Sequence, residues 1–207
     1  MADASATGRF ITLEGMDGAG KSTHLASIAA ALRARGHDVL VTREPGGTPL
    51  AEKLRELVLA EPMDAVSETL LMFAARADHV ARVIRPALAR GTWVVCDRFT
   101  DSTLAYQGGG KGVAASLIHA LAAQAHAGLA PDRTLLFDCS YEVSRERLKG
   151  AGRAPDRFEN ESRAFFDRVR AAYRALVASE PGRIRLIDGA QPPDKVPPQV
   201  EAALAGL

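Results

Sequence analysis

The stretch "RFITLEGMDGAGKSTHLASIAAALRARG", Arg9 to Gly36, decides the fold. Its opening is short, apolar and β-branched and stops at a glycine, which reads as a buried strand running into a loop. From Ser22 the pattern turns helical: Leu25, Ile28, Ala29 and Leu32 share one face, and Gly36 ends the run. Between the two, Gly15-Met16-Asp17-Gly18-Ala19-Gly20-Lys21-Ser22 satisfies G-x-x-x-x-G-K-S/T in the strand–loop–helix setting that gives the motif meaning. Small residues let backbone N–H groups turn inward around phosphates, and the helix N-terminus adds its positive end. Lys21 brings a point charge to the β and γ phosphates, Ser22 can ligate Mg²⁺, and Thr23 follows in the first turn. The glycines read G-x-x-G-x-G, so a dinucleotide loop is excluded. One residue fits poorly. Asp17 puts an acid in the middle of a loop built for anions.

Outward from this stretch, apolar strands alternate with helical patterns to the end of the chain. "DVLVTREPGG" is a second strand breaking at Pro45, and "LAEKLRELVLAEP" a helix stopped by Pro62. A long helical pattern covers about Val66 to Arg90, "TWVVCDR" is a third strand, and "YQGGGKG" reads as a flexible loop. A helix over about Val113 to Ala127, the strand "DRTLLFD", the helices "VSRERLKGAG" and "SRAFFDRVRAAYRALVA", the strand "RIRLID" and a short C-terminal helix complete it. Continuous apolar strands separated by helices predict a parallel sheet covered on both faces. Ligands in such sheets sit at the carboxyl ends of the strands, where every motif here falls.

The chain's 207 residues suit one α/β domain, at most with a mobile flap. A net charge of +1 gives no global argument for a nucleic-acid partner. Cys96 and Cys139 each end an apolar run and read as buried strand thiols in a reducing compartment. The longest apolar run, "LLMFAA", is far short of a membrane span, and the N-terminus lacks a signal-peptide pattern. The expectation is a soluble cytoplasmic protein with a short frayed tail before Arg9.

A phosphate loop does not name an enzyme. The only asparagine, Asn160, lies in "ENES", so the N-K-x-D of guanine-specific GTPases is missing. A small kinase needs a second site for its acceptor, and three clusters offer one. "TREPGG" puts Arg43 just after a strand; as a plain surface turn it would hold a solvated Arg–Glu pair. "MFAARADH" sets Phe73 and Arg76 on adjacent helical turns, able to stack and hydrogen-bond a planar base, or else a core ring beside a surface arginine. "VVCDRFTDSTLAYQGGG" closes a strand with Asp97, placed to act on Mg²⁺ directly or through water, and follows it with Arg98, Ser102, Thr103, Tyr106 and Gln107.

Together the chain resembles the thymidylate kinases. The matching segments are "FITLEGMDGAGKST", "TREPGGTPLAEKLRELVL", "LMFAARADHV", "ALARGTWVVCDRFTDSTLAYQGGGKG", "PDRTLLFD" and "DRFENES", in family order over nearly the whole chain. The resemblance implies an α/β, three-layer P-loop nucleoside monophosphate kinase fold with a parallel five-stranded sheet flanked by helices. It implies a single domain over 1–207 with a lid at about 145–161, acting as a homodimer without nucleic-acid or membrane partners. The activity implied is transfer of the ATP γ-phosphate, with Mg²⁺, to dTMP. On this pattern Arg43 and Arg98 hold the dTMP phosphate, Phe73 stacks on thymine and Arg76 bonds a base carbonyl. Ser102, Thr103 and Gln107 lie near the base edge, and Tyr106 sits under the deoxyribose. Asp17 then accepts a hydrogen bond from the acceptor's 3′-hydroxyl and helps hold a magnesium-bound water. Glu159 reaches the acceptor side. Some members carry a catalytic arginine just after the loop acid; Gly18 stands there, so the arginine is expected from the lid. Among Arg145, Arg147, Arg153 and Arg157, Arg153 is the expected one. The competing readings are a different monophosphate or deoxynucleoside acceptor and a nucleotide switch without turnover.

Overall fold

The computed structural model describes residues 8–150, 152 and 156–207. Its first strand, β1 (Phe10–Gly15), is buried at every position. A strand without an exposed face must lie inside the sheet and be covered on both sides. The sheet is all parallel, in the order β2-β3-β1-β4-β5, with β2 Val39–Arg43, β3 Trp93–Asp97, β4 Arg133–Asp138 and β5 Ile184–Asp188. Strand alternation sorts the core into two layers. Ile11, Leu13, Val95, Leu135, Phe137 and Ile187 pack with α1 (Lys21–Ala34) and the C-terminal helix. Phe10, Val94, Cys96 and Leu136 point the other way, toward the remaining helices.

α2 (Pro49–Ala60) starts on the Thr48 side chain, which accepts from the Ala51 N–H, with Pro49 at the first helical position. The long pattern from Val66 is α3 (Ala65–His79), capped by Asp64, then a wide π-helical turn over Val80–Ile84 and the short α4 (Arg85–Ala89).

"YQGGGKG" is not a flexible loop. After the single turn α5 (Thr100–Thr103), Leu104–Gly110 continues as a second π-helical turn with Ala105, Tyr106, Gln107 and Gly110 buried. The glycines serve close packing rather than mobility. A Cβ on Gly109 would lie 2.5 Å from the Ala172 Cβ, and one on Gly110 2.4 Å from the Phe165 ring. Both neighbours belong to α8 (Arg163–Ser179), which follows α6 (Ala115–Ala125) and α7 (Tyr141–Lys149). α9 (Val196–Leu204) closes the chain. The Pro- and Gly-rich loops and the half-open turns thus gather at the carboxyl edge of β1, β2 and β3.

Candidate active site

The loop from Gly15 to Gly20 leaves β1 and ends on α1. Lys21 is buried, and its Nζ donates to the carbonyls of Gly15 at 2.9 Å and Met16 at 3.0 Å. This fold-back holds the ammonium over the loop. Burial, then the charge of Arg98, lowers the Lys21 pKa, while Asp17, Asp97 and Glu14 oppose the shift. Ser22 and Thr23 are exposed at the helix start, and Ala19 is buried beneath the loop. Gly18 has φ +77°, and a Cβ there would lie 2.7 Å from the Ser144 carbonyl. α7 therefore occupies the space in which a side chain at position 18 would start.

Asp17 turns away from the phosphate side. Its carboxylate accepts from Arg98 Nη2 at 2.6 Å and from the Tyr106 hydroxyl at 3.2 Å. Burial alone would raise its pKa, but the charges of Arg98 and Lys21 win and hold it at about 2. Arg98, at φ 70° just past β3, is raised well above the usual guanidinium value because Asp17 and its neighbours outweigh burial. Left-handed backbone at a bulky residue is uncommon and marks a constrained position.

Asp17 and Arg98 line an open cleft with Glu44, Pro45, Arg55, Arg76, Phe99, Ser102, Thr103, Tyr106, Gln107 and Phe158 among its walls. Ser102 Oγ accepts from Arg98 and donates to Glu14, Thr103 Oγ1 accepts from Arg76 at 3.2 Å, and Gln107 donates to the buried Glu68 at 2.7 Å. Arg76 is buried, and its Nη1 has no partner among the described residues. Three expected residues stand off the lining: Phe73, Arg43 and Glu159, the last of which lines a separate hollow beside Tyr141 and Phe166. Phe73 is buried with its ring centroid 4.7 Å from the Arg76 guanidinium carbon. Arg43 is half exposed and pairs with Glu52 at 2.8 Å. Arg55, which the sequence reading passed over, does line the cleft. Its pKa is lowered by burial and then by the charges of Arg43 and Arg98. Arg55 thus lies within electrostatic reach of both Arg43 and Arg98.

Glu14 and Tyr173 also escaped the sequence reading. Glu14 is fully buried in β1 and accepts from the Phe99 N–H at 2.7 Å, Ser102 Oγ at 2.5 Å and the Tyr173 hydroxyl at 2.9 Å. Burial first, then the Asp101 charge, pushes its pKa up to about 7 against the pull of Ser102, Arg98 and Phe99. The only sequence signal was a charged residue inside an otherwise apolar strand.

Asp97 ends β3 with its Oδ1 buried and unpartnered among the described residues. No group of three or more His, Cys, Asp or Glu side chains among the described residues could hold a metal alone. That donor set suits an ion carried in by phosphates rather than a protein cage. On the other side of the loop a hollow is lined by Gly20, Thr23, His24, Arg147, Gly189 and Gln191.

Of the four arginines the sequence singled out between 145 and 157, Arg145 donates to the Glu159 carbonyl and Arg147 to the carbonyls of Gly18 and Gly189. Arg157 pairs with Glu68 and donates to the Val58 carbonyl. Arg153 lies outside the described residues. Glu159 is buried, and its carboxylate accepts from the Asp156 N–H at 3.2 Å.

A family model described as thymidylate kinase matches residues 13–200. The chain is 58% identical over 203 residues to the thymidylate kinase of Bordetella petrii, covering 98% of each chain. It is 60% identical over 193 residues to that of Methylobacillus flagellatus, covering 93% of this chain and 95% of the relative. The crystal structure of thymidylate kinase from Ehrlichia chaffeensis superposes with a TM-score of 0.78 at 33% identity, covering 96% of this chain and 98% of that one.

Proposed function

The chain belongs to the thymidylate kinase family, and we propose how its loop and cleft divide the family's reaction between them. The protein is an ATP-dependent nucleoside monophosphate kinase that transfers the ATP γ-phosphate to dTMP, giving dTDP and ADP. The observation that carries the division is the position of Asp17: it belongs to the phosphate loop and also lines the cleft. Donor and acceptor can therefore meet across one residue.

ATP would lie with its phosphates under the loop amides from Gly15 to Gly20 and its nucleoside toward the hollow beside Thr23 and Arg147. Lys21 turns from the loop carbonyls to the β and γ phosphates. dTMP enters the cleft with its phosphate toward Arg98, Arg55 and Arg43 and its base toward Arg76, Thr103 and Gln107. Phe73 backs Arg76 there, and stacking of thymine on its ring is part of the proposal. Tyr106 underlies the deoxyribose and Asp17 accepts from its 3′-hydroxyl. An acceptor phosphate oxygen, already anionic, attacks the γ-phosphorus as the bond to the bridging β–γ oxygen breaks. Ser22, and Asp97 through water, with Asp17 nearby, would hold Mg²⁺, which supplies positive charge to the phosphates when bound.

The segment 145–161 is proposed as a lid on one domain spanning the chain, with Glu159 helping it close on the acceptor side and Arg153 supplying the catalytic guanidinium. Arg145, Arg147 and Arg157 make contacts within the fold. Arg153→Ala should lower kcat far more than it weakens ATP binding. A second copy of the chain is proposed to cover the exposed Leu50 and Leu57 of α2 and Val66 and Leu70 of α3. No helix among the described residues is long and apolar enough to cross a membrane. Work in the cytoplasm, on mononucleotides rather than nucleic acid, suits the two free buried cysteines and the near-neutral charge.

The test is an acceptor panel with Mg-ATP and dTMP, dUMP, dCMP, UMP, AMP or thymidine, quantifying ADP and phosphorylated product. dTMP should lead with one ADP per dTDP. Another leading acceptor would overturn the base-site assignments, and ATP hydrolysis as fast without acceptor would overturn the proposed lid.

A further inference from the structure

Arg76 is held in an unusual way. Its guanidinium carbon lies 4.7 Å from the Phe73 ring centroid and 5.1 Å from that of Phe99, so two aromatic rings fix its place. In its own plane it is held by Glu44 Oε2, which accepts from Nε at 2.6 Å, and by Thr103 Oγ1. An arginine and a carboxylate usually pair through two parallel N–H bonds. Here Glu44 takes only one. Its second oxygen, Oε1, is already occupied by His79 Nδ1 at 2.9 Å. His79 is fully buried, one turn beyond Arg76 on α3, and its Nε2 is 2.7 Å from Thr42 Oγ1. A carboxylate only accepts, so His79 carries hydrogen on Nδ1, and its Nε2 is in hydrogen-bond contact with the Thr42 hydroxyl.

The chain is built around this ring. Gly47, at φ +85°, would place a Cβ 2.5 Å from the His79 imidazole. The turn "EPGG" thus supplies both the carboxylate that meets His79 and the space in which His79 sits.

We propose that His79 is a positioning residue for acceptor selection, keeping Glu44 single-bonded to Arg76 so that Arg76 Nη1 stays free for the acceptor base. Without His79, the buried Oε1 of Glu44 lacks a donor. The carboxylate then swings to take an Nη2 hydrogen of Arg76 as well and draws the guanidinium toward Glu44. The guanidinium turns with it and Nη1 leaves its place. Arg76 offers donors only, so the group it selects is a base carbonyl, and an amino group at that edge is rejected. His79 therefore acts, through Glu44, on the choice between a pyrimidine with a carbonyl there and one with an amino group. This rests on the proposed contact between Arg76 and the base.

The test compares wild type with His79→Leu, His79→Asn, Thr42→Val and Arg76→Ala in the full-length enzyme, measuring kcat, KM for dTMP, KM for ATP, and kcat/KM for dTMP against dCMP. Asn keeps a donor where Nδ1 stands; Leu keeps bulk but no donor. His79→Leu is expected to raise the dTMP KM about tenfold or more, the loss of the Arg76 hydrogen bond to the base, with the ATP KM within about twofold. Its preference for dTMP over dCMP should fall, and His79→Asn should restore most of both. Thr42→Val, which removes one hydroxyl and keeps shape, should move the same two quantities about two- to threefold and covers the case in which His79→Leu does not fold. If the His79 and Thr42 variants lose thermal stability while the dTMP KM and the preference stay at wild-type values, His79 is a packing residue and the proposal fails. A rise in both KM values together has the same meaning. If Arg76→Ala itself leaves the dTMP KM unchanged, the base-site reading falls and takes the His79 proposal with it.

Discussion

The phosphate loop and the acceptor cleft touch at Asp17 but are made in opposite ways. The loop is one uninterrupted stretch, Gly15 to Ser22, and its binding groups are backbone amides, a helix end and Lys21. The cleft draws on the loop, the turn after β2, α2, α3, the segment after β3, and Phe158 in the stretch between α7 and α8. Its polar groups are already bonded to one another: Arg98 to Asp17, Arg76 to Glu44 and Thr103, Gln107 to Glu68. On the proposed reading the loop's backbone amides hold a triphosphate donor, and the cleft's interlocked side chains, which accept only a ligand that replaces or extends their bonds, choose the acceptor.

The largest effect that would break this contrast is at Lys21. Lys21→Ala should lower kcat by about 10²–10³-fold while dTMP still binds, read from steady-state kinetics and acceptor titration. If dTMP binding collapses as well, loop and cleft are not separable. Asp17→Asn comes next and sharpens the boundary. It removes the charge opposite Arg98 and should cost about 10²-fold in kcat/KM for dTMP, with ATP affinity little changed. Equal losses toward both substrates would place Asp17 on the donor side.

A smaller effect concerns stability. Burial pushes the folded Glu14 pKa up to about 7 from its ordinary value of 4.5, so the folded state binds the extra proton between those pH values. Stability from this group is therefore lost as pH rises through that window. Glu14→Gln should flatten the fall in melting temperature between pH 5 and pH 8, roughly the window set by that raised value. An unchanged slope would show that another group carries it. Smaller still, Gly109→Ala should destabilise by about 1–3 kcal/mol through collision with Ala172, measured by chemical denaturation. A neutral result would mean that the π-helical turn shifts freely on α8.

The same contrast explains what could be read from the sequence. The loop, the strand–helix alternation and the parallel sheet follow from local spacing, and all five strands stand where the apolar runs put them. Asp17, Arg98, Arg76, Ser102, Thr103, Tyr106 and Gln107 line one cleft. Arg55 was hidden because nothing local separates it from other arginines on an amphipathic helix. Glu14, Glu44 and His79 were hidden because their partners lie far along the chain, and a buried polar group is defined by partners rather than by neighbours. "YQGGGKG" misled because glycine permits close helix packing as readily as it permits motion. The spatial setting of Phe73 behind Arg76 is likewise tertiary.

The most direct measurement is calorimetric binding of ATP and of dTMP, each alone, to Arg76→Ala and to Lys21→Ala. Separate losses are expected: Arg76→Ala should weaken dTMP about tenfold or more and leave ATP nearly unchanged, and Lys21→Ala should do the reverse. If each variant weakens both nucleotides alike, the donor loop and the acceptor cleft form one site, and the division of labour described here is wrong.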